Sequence, residues 1–148
     1  MGVKLIIMCG LQCSGKSTKA KQLAKEYDAT LISSDNLREY YPNFDNGEIF
    51  KTLYMLMNIK LKNGTNVIID ATNTTAKTRR LLFRHIKVNC EKICYVMETP
   101  YEECIKRLKI RNMSNYPHKI KEEVILKYHK SFQMPSLDEG FDEIIKIK

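Results

Sequence analysis

The stretch Val3-Lys-Leu-Ile-Ile-Met-Cys9-Gly10-Leu-Gln-Cys-Ser-Gly15-Lys16-Ser17-Thr18 changes character twice. Residues 3–9 form a nearly unbroken apolar run of strand length, the pattern of a parallel strand buried on both faces. After Ser17 the period becomes helical. Ala20, Leu23, Ala24 and Tyr27 fall at i, i+3, i+4 and i+7, while Lys19, Lys21, Gln22 and Lys25 take the other side. Between strand and helix stand Gly, four residues, then Gly-Lys-Ser, which is the P-loop pattern in the context that gives it meaning. Gly10 and Gly15 admit backbone conformations that a Cβ would obstruct, so successive N–H groups can converge on phosphate oxygens. The helix opening there aims its positive end at the same anion. Lys16 can reach the outer phosphates and the Ser17 hydroxyl can ligate Mg²⁺. With glycine near ~7% of residues, roughly one chain of this length in a few hundred would match by accident. The candidate ATP site is thus Gly10, Cys13, Ser14, Gly15, Lys16, Ser17 and Thr18. Within it, Cys13 either lies where converging N–H groups would favour a thiolate or is turned away from the anion and unreactive.

Composition sets bounds around this motif. A chain of 148 residues, 43% hydrophobic, can bury ~70% of the surface its unfolded form exposes. No repeat, linker-like stretch or low-complexity run divides it, so a single domain over residues 1–148 is expected. No apolar run approaches a membrane span, and residues 3–9 lead into the P-loop rather than a cleavage site. Five cysteines, an odd number without a CxxC pair, read as reduced thiols in the cytoplasm. Cys90 and Cys94 could be half a metal site, but Cys94 falls in an expected core strand and reads as structural. The charge of +8, from 25 Lys+Arg against 17 Asp+Glu, suits a polyanionic ligand and is a weak signal alone.

Moving outward, Thr30-Leu-Ile-Ser-Ser34 reads as a second strand that ends at Asp35. Asp35 and Arg38 then stand three apart at a strand's carboxyl end, the edge where open α/β sheets bind ligands. Spacing leaves two readings open: Asp35 caps a short helix over residues 36–40, or it is catalytic. A helix over residues 47–62 follows, with Ile49, Phe50, Leu53, Met57 and Leu61 as its core stripe and Asn63-Gly64 as its stop. Asn66-Val-Ile-Ile-Asp70 is a third buried strand closing on a carboxylate. That is the form of the Walker B element, whose Asp70 would join Ser17 in holding Mg²⁺.

The segment 75–88 reads as a helix with Leu81, Leu82 and Ile86 inward. Lys77, Arg79, Arg80, Arg84, His85 and Lys87 make it basic without one acidic residue, as a solvated face or a phosphate contact would be. Residues 92–97 form a fourth strand. Thr99-Pro-Tyr-Glu102 reads as a capping box opening the next helix. On that helix Arg107 and Arg111 share a face, ahead of the loop 112–118. They suit a helical lid over ATP or a favourable charge at a helix end. A helix over 120–132 and a strand over 141–147 complete a βα series. The result is an α/β three-layer sandwich of the P-loop NTPase class, with a parallel sheet of expected order 2-3-1-4-5.

Across nearly its whole length the chain resembles the 5′-hydroxyl polynucleotide kinase module of bacteriophage polynucleotide kinases and bacterial RNA-repair kinase-phosphatases. The resemblance rests on GLQCSGKST, LISSDNLR, VIIDATNTTAKTRR, the Arg107/Arg111 helix and EGFDEIIKI. Ser-Asp-x-x-Arg after strand two, together with Asp-Ala-Thr-Asn after strand three, is far more selective than the P-loop. It implies an ATP- and Mg²⁺-dependent kinase in which Asp35 is the general base, Arg38 clamps the acceptor's phosphate and Arg111 contacts the donor's. The acceptor it implies is a 5′-hydroxyl end of RNA or DNA, with no membrane partner expected; the sequence departs from the repair enzymes in showing no phosphatase or ligase module and in its lid segment MSNYPHKI. Two other classes stay open: a kinase of small molecules or sugar nucleotides, and a slow ATPase acting as a nucleotide-regulated binding protein.

Overall fold

The computed structural model describes residues 2–115 and 119–148. The expected lid loop, 112–118, therefore lies partly outside the described residues. Five parallel strands, β1 (Lys4–Cys9), β2 (Ala29–Ser33), β3 (Asn66–Asp70), β4 (Glu91–Met97) and β5 (Glu143–Ile147), form one sheet in the order β2-β3-β1-β4-β5. Helices α1 (Lys16–Glu26), α2 (Ser34–Tyr40), α3 (Asn46–Lys62), α4 (Ala76–Arg84), α5 (Tyr101–Asn112) and α6 (Glu122–Ser131) connect them.

Strand alternation sorts the core onto two faces. Leu5, Ile7 and Cys9 pack with Ile69 and Val96 beneath Leu53 and Met57 of α3 and Leu82 of α4. Ile6 and Met8 face the other way, against Ala20 and Leu23 of α1. Both faces of β1 are buried from Leu5 onward, which is why its sequence is apolar from there to Cys9. A third cluster joins Leu11 of the phosphate loop to Cys104 and Leu108 of α5 and Ile125 of α6. The loop is thereby packed against α6 and against α5, which carries both Arg107 and Arg111.

Register then assembles the site. Ser33 pairs with Asp70 across β2 and β3, so the carboxyl ends of these strands lie side by side. β1 lies between β3 and β4, with Ile7 opposite both Ile69 and Cys94. The chain reverses its direction of travel across the sheet beside β1, and the phosphate loop leaves from that point, where open α/β sheets form their crevice.

Four local expectations are corrected. The α2 cap is the Ser33 side chain, which accepts from the Asn36 N–H, so Asp35 is not needed as a cap and β2 stops one residue early. Thr99 caps nothing: α5 starts after Pro100, without a side-chain cap, and the Thr99 hydroxyl turns to the phosphate loop. Leu81 is 41% exposed because α4 points Arg79 and Leu82 inward instead. Arg79 itself is completely buried and is no part of a basic face.

Candidate active site

The phosphate loop is held by backbone geometry more than by side chains. Gly15 has φ +90° and is the residue before α1, so its turn lets the helix start at Lys16. The first turn of α1 therefore presents N–H groups with no partner inside the helix. A Cβ at Gly10 would come within 2.9 Å of the Met97 Cβ, so only glycine lets β1 exit this close to β4. Gly10 and Ser14 are buried behind the loop and shape it from within. The loop is tied to its neighbours by Gly10 N–H donating to the Thr72 carbonyl at 3.0 Å and the Thr99 hydroxyl donating to the Ser14 carbonyl at 2.7 Å.

Lys16 and Ser17 meet Asp70 at the end of β3. Lys16 Nζ lies 2.9 Å from Asp70 Oδ1, and the Ser17 hydroxyl donates to Oδ2 at 2.9 Å. Asp70 is 5% exposed, so each of its oxygens has a named partner in a nearly dry position. On the other side of the loop, Arg107 donates to the Cys13 carbonyl at 3.3 Å and Arg111 to Cys13 Sγ at 3.3 Å. Cys13 holds φ +63°, turning its sulfur to that arginine. It is also the one cysteine that is not buried.

At the far side of the same cleft, Arg38 is shared between Asp35, at 3.2 Å, and Asn46 Oδ1, at 2.8 Å. Asp35 and Arg38 remain solvent-accessible, with side chains 66% and 44% exposed. A single cavity of about 750 Å³ is lined by Cys13, Gly15, Lys16, Ser17, Thr18, Asp35, Arg38, Asp70, Arg107 and Arg111. All the expected charged residues thus face one space.

Several residues behind the site carry no signal that sequence reading caught. Asn73 adopts φ +49°, a conformation Asn tolerates better than most residues. Its amide donates to the Met8 carbonyl at 2.8 Å, lacing the exit of β3 to that of β1. Arg79 donates to the Asn73 carbonyl at 2.8 Å and grips Glu139 with both Nε, at 2.7 Å, and Nη2, at 3.2 Å. Gln133 closes the same seam, its N–H on the Thr74 carbonyl at 2.8 Å and its side chain accepting from the Ala76 N–H at 2.9 Å. The segment after α6 therefore braces the loop that follows Asp70.

The donor set fits a nucleotide polyphosphate and a hard divalent cation. Lys16, Arg107 and Arg111 bring three positive charges to a wall whose buried carboxylate is Asp70. The hydroxyl and carboxylate oxygens of Ser17 and Asp70 are the ligand type Mg²⁺ takes. Among the described residues no cluster of three or more His, Cys, Asp and Glu side chains could hold a metal by itself. Cys94 is buried in β4, and the hydrogen bond with Cys9 together with burial holds its thiol far above the ordinary range. It is structural.

Comparison with known proteins places the fold among P-loop kinase-like structures. A chain in the structure of the Pnkp1/Rnl/Hen1 RNA repair complex is 27% identical, with TM-score 0.76, over 88% of this chain and 44% of that one. The present chain thus spans under half the length of that relative. Kti12 of Chaetomium thermophilum, solved in complex with ADP-AlF3, superposes with TM-score 0.79 at 19% identity, over 97% of this chain and 88% of that one. A sugar kinase of Janibacter gives TM-score 0.73 at 15% identity, over 99% and 85%. No helix among the described residues is long and apolar enough to cross a membrane. The family model described as AAA domain matches residues 5–135, and with its phosphate loop, Asp70 and strand order in place the chain belongs to that family.

Proposed function

We propose that the protein is an ATP- and Mg²⁺-dependent kinase that phosphorylates the 5′-hydroxyl end of RNA or DNA. The observation that carries this reading is the shared cavity: Asp35 and Arg38 face the same space as Lys16, Asp70 and Arg111. A protein that only bound or slowly hydrolysed ATP would have no use for a carboxylate and a guanidinium at the far side of the phosphate site. The 27% identity to the RNA repair complex chain supports a polynucleotide acceptor over a metabolite.

In this reading the loop N–H groups and Lys16 bind the outer phosphates of ATP, and Arg107 and Arg111 close on them from α5. Mg²⁺ held through Ser17 and Asp70 would offset charge on the phosphate oxygens. Lys16 then exchanges its contact with Asp70 for the phosphate. Arg38 releases Asp35 to grip the phosphate next to the reacting hydroxyl. The freed Asp35 carboxylate accepts the hydroxyl's proton as the oxygen attacks the terminal phosphorus and ADP leaves. Positioning and charge stabilisation supply most of the rate, since phosphoryl transfer asks little covalent chemistry of the protein.

The test is transfer of label from γ-labelled ATP across a panel of 5′-hydroxyl oligonucleotides, nucleosides and sugars. Label on the oligonucleotide 5′ ends is the expected result. Label on a sugar or nucleoside alone would replace the acceptor assignment, and no transfer to any acceptor would replace the kinase assignment.

A further inference from the structure

We propose that the groove between α3 and α4 binds the nucleotides that follow the reacting end of a single-stranded acceptor, so that the enzyme reads a strand rather than a terminal nucleotide. The proposal rests on the polynucleotide reading of the cleft. The groove encloses about 950 Å³ and is contiguous with the cleft, because Asn46, Phe50 and Thr78 line both. The junction is where Arg38 stands, bonded to Asn46 and with its guanidinium 5.9 Å from the centre of the Phe50 ring. A phosphate held by Arg38 would leave the next nucleotide facing the groove.

Its chemistry matches a strand. Met55, Ile59 and Leu81 are 55%, 48% and 41% exposed there, large apolar side chains that the core does not use. The Tyr54 ring stacks on His85 at 4.2 Å and 13°, and this aromatic pair lines the floor of the groove. That floor is fixed by Asn58, whose side chain donates to the His85 carbonyl at 2.8 Å and accepts from the Lys87 N–H at 3.0 Å. Lys51 and Lys87 come from the two walls, and no acidic residue lines the groove. An apolar, aromatic floor under a cationic rim is how single strands are held without sequence preference, bases on the floor and phosphates on the rim. A carboxylate-free rim disfavours a basic partner and favours a polyanion.

The experiment compares kcat/KM for a 5′-hydroxyl octanucleotide and for a nucleoside 3′-monophosphate, in wild type, in Lys51→Gln/Lys87→Gln and in Ile59→Glu. These positions are at the surface, outside the catalytic machinery. Wild type should prefer the octanucleotide by about tenfold or more, as the loss of one stacked base would cost. Both variants should lose most of that preference while turning over the monophosphate and ATP as before. In the lysine variant the plot of log KM for the octanucleotide against log salt should flatten by about 1.4, for two phosphates at ~0.7 each. Equal use of both acceptors by wild type, or an undiminished preference in both variants, overturns the groove and leaves the kinase reading standing. Transfer to neither acceptor, with transfer to a sugar, overturns the reading beneath it.

Discussion

Replacing Arg79 by alanine should cost about 3–5 kcal/mol of folding stability, although Arg79 lines neither the cleft nor the groove between α3 and α4. Its guanidinium is completely buried and makes two short bonds to Glu139, whose side chain is only 18% exposed. Removing one partner of such a pair leaves the other charge largely buried without its counter-charge, here Glu139 with the Ser136 N–H still donating to it at 3.0 Å, at ~3–5 kcal/mol. The Asn73 carbonyl loses its guanidinium bond as well, and Asn73 carries the contact between the exits of β1 and β3. Against a total stability of ~5–15 kcal/mol this is a large fraction. The melting temperature should fall by about 6–20 °C, at ~2–4 °C per kcal/mol for a domain of this size. Urea unfolding measures the loss directly, and a double-mutant cycle isolates the pair. Glu139→Gln placed in the Arg79→Ala background neutralises the stranded carboxylate and should recover at least 1 kcal/mol of the loss. A loss below about 1 kcal/mol, or strictly additive effects of the two substitutions, would refute the bracing role assigned to this pair.

Two further outcomes bear on the site. Arg38→Ala should raise KM about 10–100-fold for acceptors with a phosphate beside the reacting hydroxyl, the worth of a hydrogen bond between charged groups, with KM for ATP unchanged; an equal rise in both constants contradicts the clamp. With N-ethylmaleimide at pH 8, mass spectrometry should find Cys13 modified first, because it is the one cysteine not buried, whereas burial pushes the Cys104 thiol up to about 11. ATP with Mg²⁺ should protect Cys13, since its thiol touches Arg111 in the phosphate cleft. Equal labelling of Cys13 and Cys104, or no protection, contradicts that placement.

Local pattern made most of the fold legible. The apolar runs ending in Cys9, Ser33 and Asp70 are strands because parallel sheets are covered on both faces, and their short length between polar stops identifies them without knowledge of partners. The Gly15 turn is legible for the same reason, since a positive φ leaves a composition signature. What could not be read depended on residues far apart in the chain. Arg79 stands among five other basic residues between 77 and 87 and differs from them only in facing Glu139, 60 positions away. Thr99 fits a capping box locally, and the Ser14 carbonyl that takes its hydroxyl is 85 positions away. Spacing alone leaves Asp35 as either a cap or a catalytic group, because the rival cap, the Ser33 hydroxyl, is placed at the helix start only by where the pairing of β2 with β3 ends. Asn73 is the exception: an Asn after Asp-Ala-Thr was open to being read as a left-handed turn.

The account is tested most directly by following label from γ-labelled ATP in the presence of Mg²⁺ and a 5′-hydroxyl oligonucleotide, separating labelled oligonucleotide from free phosphate. Wild type should place the label on the oligonucleotide. Asp35→Asn should lose transfer by roughly 10²–10⁴-fold while still binding ATP, and Lys16→Ala should lose it with an unchanged circular dichroism spectrum. Label appearing only as free phosphate, at the same rate in wild type and Asp35→Asn, would contradict the assignment of this cleft to phosphoryl transfer onto a hydroxyl.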